Sequence, residues 1–160
     1  MSKLDELIQN LCPNGVEWKT LDCFANVITK QTGFDYSREI KPSLLSSCQE
    51  DTYPYLQTRN FSGKNFNYNT EFYVPKNVAH KYPKIILDER CILISIVGSI
   101  GNIGLFPAET IAFLGGAICV LKLNDSINLD FVYYCLCSPI GQKQLRSKTK
   151  GSGQATVTIE

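Results

Sequence analysis

At 160 residues the chain has the size of one domain, long enough for a single core to bury roughly two thirds of the surface that the unfolded chain exposes. Its composition, 44% hydrophobic and 19% charged with eight Phe and eight Tyr, excludes a disordered chain, and a net charge of +1 excludes a simple basic coat for a polyanion. No apolar run approaches the roughly 20 residues of a membrane helix, the N-terminus lacks a basic-then-apolar signal, and an odd count of seven cysteines fits a reduced, cytoplasmic compartment.

In chain order, Leu4, Leu7, Ile8 and Leu11 recur at the spacing that stacks them on one face, which predicts an amphipathic helix over residues 3–12. Ser2 and Asp5 resemble a capping pair at its start, and Pro13, Asn14 and Gly15 end it. Residues 16–19 and 25–29 are short extended candidates, and residues 34–52 read as a surface loop with one helical turn. From Tyr53 onward aromatic and β-branched residues predict strands at 53–58, 71–74, 91–97, 103–106, 111–113 and 117–123, separated by glycine and asparagine. The run 91–97 is apolar on both parities except at Ser95, as in a central strand covered on both sides. Residues 129–136 and 140–145 read as helix, kinked or split at Pro139, whose ring and missing amide oppose a continuous ladder. A turn at 151–153 and a short strand at 155–159 follow.

These elements predict an α+β fold in a single domain, 1–160. Its β-rich core, residues 16–123, forms a curved and mainly antiparallel sheet, flanked by the helix 3–12 and the helical region 129–147.

Charge is unevenly distributed. Residues 1–51 carry five basic side chains against eight acidic ones, whereas residues 52–84 hold Arg59, Lys64, Lys76, Lys81 and Lys84 against Glu71 alone. Lys143, Arg146, Lys148 and Lys150 follow one another with no acid between them. Such stretches form a phosphate-facing surface if the fold joins them, and a solvated charged face if it does not.

No catalytic constellation is present. Gly98, Gly101 and Gly104 match neither the dinucleotide fingerprint nor a P-loop, no nucleophile elbow occurs, and His80 is the only imidazole. The cysteines Cys135 and Cys137 stand one residue apart, without the CxxC spacing of a zinc site. Binding chemistry is better represented. The strand at 55–58 runs into a polar loop with Arg59, Asn60, Lys64 and Asn65, side chains that can match base edges or phosphates in a DNA groove. The alternative for that loop buries Phe61 and Phe66 and ties Arg59 into a structural salt bridge. Ser99 and Asn102 offer donors and acceptors on the glycine hairpin at 98–104, which needs positive backbone angles whatever it binds.

Several strings together carry a resemblance. LDELIQNLCPNGV at 4–16, YPYLQTRNFSG at 53–63, ILISIVGSIGNIGLF at 92–106 and the segment from DFVYYCLC to ATVTIE at 130–160 are similar, in this order, to the specificity subunits of type I restriction-modification enzymes. The resemblance implies a target-recognition domain that reads one half of a bipartite double-stranded DNA site. It implies that methylation and cleavage belong to partner modification and restriction subunits using S-adenosylmethionine and ATP, so that this chain is no enzyme, holds no cofactor or metal and meets no membrane. Family members carry two such domains joined by long helices, so the chain is expected to be a fragment of a larger two-domain subunit.

The expected DNA contacts are Arg59, Asn60, Lys64, Asn65, Ser99, Asn102, Lys143, Arg146, Lys148 and Lys150. Base readers are expected among Arg59, Asn60, Asn65 and Asn102, and phosphate contacts among the lysines. Two rival readings stand beside this one. The first is a protein- or carbohydrate-interaction module whose platform is Tyr53, Tyr55, Phe61, Phe66, Tyr68, Phe72 and Tyr73. The second is a metal-dependent nuclease using Asp88 and Glu89.

Overall fold

A computed structural model describes residues 3–150 and 156–157. Five α-helices occur among them: α1 (Lys3–Leu11), α2 (Tyr36–Glu39), α3 (Lys76–Ala79), α4 (Leu129–Cys137) and α5 (Pro139–Ser147). The strands are β1 (Ala25–Thr29), β2 (Thr52–Leu56), β3 (Phe61–Ser62), β4 (Asn65–Phe66), β5 (Tyr73–Pro75), β6 (Ile86–Leu87), β7 (Cys91–Ser95), β8 (Ile103–Phe106), β9 (Ala112–Leu114), β10 (Ile118–Leu123), β11 (Thr149–Lys150) and β12 (Thr156–Val157). None of the described helices is long and apolar enough to cross a membrane.

The mixed, mainly antiparallel architecture is divided between two four-stranded sheets. One has the order β1-β10-β7-β8 and is antiparallel throughout. The other has the order β5-β2-β9-β6, in which β2 and β9 run parallel. The β3–β4 hairpin and the antiparallel pair β11 with β12 stand beside these sheets.

Alternation along β7 and β10 explains the layering, because successive strand side chains point to opposite faces. Cys91, Leu93, Ile118 and Val120 enter a core shared with Leu56, Val74 and Phe113 of the second sheet. Ile92, Ile94, Cys119 and Leu121 enter a second core, closed by Val132, Tyr133 and Leu136 of α4. Every residue of β7 is buried, as its doubly apolar run predicts for a central strand. Ser95, the exception in that run, is also buried, and its hydroxyl has no hydrogen-bond partner among the described residues.

One charge enters this sheet. Lys122 of β10 is only 7% exposed, and its ammonium lies 3.0 Å from both Asp88 and Glu89. Burial pulls its pKa down, but the hydrogen bonds and charges of the two carboxylates outweigh that and hold it above the usual lysine value. Asp88 and Glu89 are thus engaged by a cation of the fold. The nuclease reading is corrected on this point, since its two carboxylates are counter-ions for a buried lysine.

The expected break at Pro139 is a complete division. Ser138 ends α4 and begins α5, its hydroxyl accepting from the Gly141 N–H, with Pro139 at the first helical position, where a missing N–H costs nothing. The two helices meet so tightly that a Cβ on Gly141 would collide with the Cys135 carbonyl oxygen and lie 2.8 Å from Leu136 Cα. Glycine is required there for close approach.

Three expectations are corrected. Residues 16–19 form no strand, and Val16 and Trp18 are 63% and 75% exposed. The helix α1 forms, but Leu7, Ile8 and Leu11 on its apolar stripe are exposed and belong to neither core. The aromatic platform does not exist as a surface: Tyr55, Phe61 and Tyr73 are buried, while Tyr53, Phe66, Tyr68 and Phe72 pack against the first core. Strand β6 has only two residues, too few for any periodicity to mark it in the sequence.

Candidate nucleic-acid interface

Strand β2 leads into a tight turn at Thr58–Asn60, and this turn is built from its own side chains. The Asn60 carboxamide oxygen accepts from the Gln57 N–H at 2.8 Å, and the Gln57 side chain accepts in return from the backbone at Asn60, a reciprocal capping box. Asn60 is therefore buried and committed to the fold. Arg59, one residue earlier, is exposed and its guanidinium donates to Glu71 and to Gln57. The chain then forms the β3–β4 hairpin, in which Phe61 pairs with Phe66 and Ser62 with Asn65 around Gly63. The Phe61 and Phe66 rings stack at 5.8 Å, and Phe66 meets Phe106 edge-on at 5.4 Å. The loop thus has apolar roots and a polar outer edge.

This small hairpin docks on β8. The Gly63 N–H donates to Ile103 O, the Leu105 N–H donates to Gly63 O, and a bridge joins Gly63 to Gly104. Gly104 is glycine because of Phe61: a Cβ there would lie 2.6 Å from the ring. Asn102 strengthens the same joint, donating both amide hydrogens inward, to Phe61 O at 2.9 Å and Thr58 O at 3.3 Å.

Lys64 fastens the loop to α4. Its ammonium donates to the Tyr134 hydroxyl at 3.3 Å, lies 5.3 Å from that ring's centroid, and pairs with Asp130 at 3.6 Å. Asp130 also accepts from Arg90 at 3.1 Å, and that hydrogen bond, helped by the Arg90 and Lys64 charges, holds its carboxyl below the usual value. The carboxylate is therefore ionised throughout the neutral range.

The third stretch is α5. Gln142 on its first turn donates to Gly101 O at 3.0 Å and to Leu136 O at 3.0 Å, linking the glycine hairpin to both helices. Nine of the ten expected sites therefore fall into two groups. Arg59, Lys64, Asn65, Ser99, Lys143, Arg146 and Lys148 are exposed. Asn60 turns its amide oxygen, and Asn102 both amide hydrogens, to backbone partners. Lys150 lies in β11, and its side chain is outside the described residues. No carboxylate pairs with Lys143 or Arg146 among the described residues, whereas Arg59 and Lys64 each have one. Sequence reasoning missed Gln57, Gln142, Tyr134 and Asp130. Only Gln142, a long amide beside the helix break, carried a signal that could have been read.

The model of a family described as "Type I restriction modification DNA specificity domain" matches residues 34–160. No curated protein matches the chain. Among solved structures, the chain is similar to the type I restriction-modification system S subunit from M. genitalium, with 22% identity and a TM-score of 0.52, over 88% of this chain and 30% of that one. It is similar also to the HsdS subunit from Thermoanaerobacter tengcongensis, with 14% identity and a TM-score of 0.55, over 88% and 32% of the two chains. A third likeness, at 14% identity and a TM-score of 0.51, is to a structure addressing complex assembly and conformational transition of the type I R-M system, over 81% and 32%. At these identities the likeness establishes a shared fold. The chain spans about a third of the length of the structures it matches.

Proposed function

The chain belongs to the type I restriction modification DNA specificity domain family, and from that premise we propose that it recognises a short double-stranded DNA sequence as one half of a bipartite target. The surface assigned to this task joins the loop at 57–66, the glycine hairpin at 98–104 and the outer side of α5. The observation that supports it is the stitching of these three stretches, distant in sequence, by Lys64, Asn102 and Gln142. Methylation and cleavage fall to partner modification and restriction subunits, and the chain acts as one of two recognition modules in a longer subunit, in keeping with the third of the matched structures that it covers.

Roles divide by chemistry. Arg59 and Asn65 are the candidates for base edges, because each is exposed and can present paired donors, or a donor with an acceptor. Lys143 and Arg146 have no acidic partner among the described residues and serve as phosphate contacts, with Lys64, Lys148 and Lys150 beside them. Asn60 and Asn102 shape the site from within, and Ser99 contributes its hydroxyl at the hairpin tip. A single module of this kind buries roughly 600–1,000 Å² of its surface on DNA, so affinity is modest and salt-sensitive.

Titrating a fluorescent mixed-sequence duplex across a salt series tests this reading. The wild-type chain is expected to bind at low salt with log K falling linearly against log salt, and Lys143→Ala to flatten that slope by about one unit. Absence of binding at low salt, or a slope that Lys143→Ala leaves unchanged, would overturn the assignment.

A further inference from the structure

We propose that Gln142 is a positioning residue for DNA recognition, setting the height of the glycine hairpin above the helix pair without touching DNA itself. This rests on the proposed function, but its geometry stands independently. The Gln142 amide nitrogen donates to two carbonyl oxygens, Gly101 O in the hairpin and Leu136 O in the last turn of α4. The second is one of the carbonyls that a helix end leaves without an intrahelical partner, here because the ladder stops at Ser138. One side chain on α5 therefore completes the end of α4 and grips the hairpin together.

The grip is close. Gly101 has a φ of +90°, and a Cβ there would come within 2.5 Å of the Gln142 amide oxygen. Asn102, the next residue, holds the opposite side of the hairpin through Thr58 O and Phe61 O. The hairpin thus hangs between two carboxamides, one reaching it from α5 and one reaching out of it to the recognition turn. Beyond these clamps, the backbone N–H groups of Gly98 and Ser99 and the Ser99 hydroxyl have no hydrogen-bond partner among the described residues, and both residues are exposed. Donors of that kind meet phosphate or base oxygens only when their position is fixed, because a hydrogen bond weakens steeply with misalignment. Glutamine suits the position for a definite reason: a carboxylate of the same size has no hydrogen to donate and would face two carbonyl oxygens.

The test compares the full 160-residue wild-type chain with Gln142→Met, which keeps the bulk and loses both donors. Amide hydrogen exchange at Ile100, Gly101 and Asn102 is expected to accelerate at least tenfold while amides of β7 and β10 keep wild-type rates. Discrimination between a duplex enriched from a random pool by the wild-type chain and its scrambled counterpart is expected to fall at least fivefold, with the salt dependence unchanged, since Lys143 and Arg146 still meet phosphate. Gln142→Glu at neutral pH must reproduce both effects. Unchanged exchange in the hairpin, or equal acceleration in β7 and β10, overturns the clamp. Faster hairpin exchange with undiminished discrimination overturns the positioning role. If the wild-type chain binds no duplex at all, the DNA reading fails and the positioning role with it, while the exchange data still decide the clamp.

Discussion

Phe113→Ala is expected to destabilise the fold by about 3–5 kcal/mol, the range for emptying a fully buried phenylalanine site. Phe113 has no exposed surface and sits in β9, opposite Tyr55 of the parallel neighbour β2 and Ile86 of the antiparallel neighbour β6. Its ring stacks on Tyr55 at a centroid distance of 6.3 Å and belongs to the core that joins the two sheets. Collapse around the cavity is restricted, because both flanking strands are held by backbone pairing. A domain of this size is typically stable by about 5–15 kcal/mol, so the loss takes a large share of the total. Urea denaturation measures it directly as a lowered midpoint at constant slope. A loss below about 1 kcal/mol would show that the site is not the close-packed junction described.

Arg59→Ala is expected to leave the fold almost untouched and to cost about 1–3 kcal/mol in binding to target DNA. In the free chain Arg59 pairs with Glu71, both partners being more than half exposed, and an exposed pair of this kind contributes about 0–1 kcal/mol. The pairing therefore costs little to give up, as the proposed turn of the guanidinium toward a guanine edge requires. Target and scrambled duplexes separate the possibilities in one competition experiment. Selective loss on the target marks a base reader. Equal loss on both duplexes would mark Arg59 as a phosphate contact and remove its assigned role.

The sequence made some of this legible. Doubly apolar β7, the break at Pro139 and the strand at 103–106 could be read because each depends on local composition, namely an apolar run on two faces, a missing amide, and β-branched and aromatic residues after a glycine turn. The division into two sheets could not, because it rests on the parallel pairing of β2 with β9, whose partners Tyr55 and Phe113 lie far apart in the chain. The same limit explains the aromatics at 53–73: composition cannot tell a stacking platform from a stacked core. It explains the amides too. Asparagine offers the same donors and acceptor to a base edge as to the backbone, and only the fold reveals that Asn60 turns its amide oxygen and Asn102 its amide hydrogens inward while Asn65 remains exposed. Arg59 illustrates both readings at once, since it is salt-bridged in the free chain and exposed enough to leave that partner.

Basic residues on α5 gain significance from where they sit. In the sequence they are a charged run like many others. In the fold, Gln142 binds their helix to the glycine hairpin, and Lys64 and Asn102 bind the loop at 57–66 to α4 and the hairpin, which supports the proposal that these cations border one DNA-facing surface. Net charge says little about such a surface, since eight of the fifteen acidic side chains lie in residues 1–51, and Glu71 and Asp130 are the acids that pair with Arg59 and Lys64.

Backbone amide shift mapping during titration with a duplex enriched from a random pool tests the convergence of these three stretches most directly. The perturbed amides are expected to cluster at 57–66, 98–102 and 142–148 together. Perturbations confined to α1, α2 and α3, with those three segments silent, would contradict it.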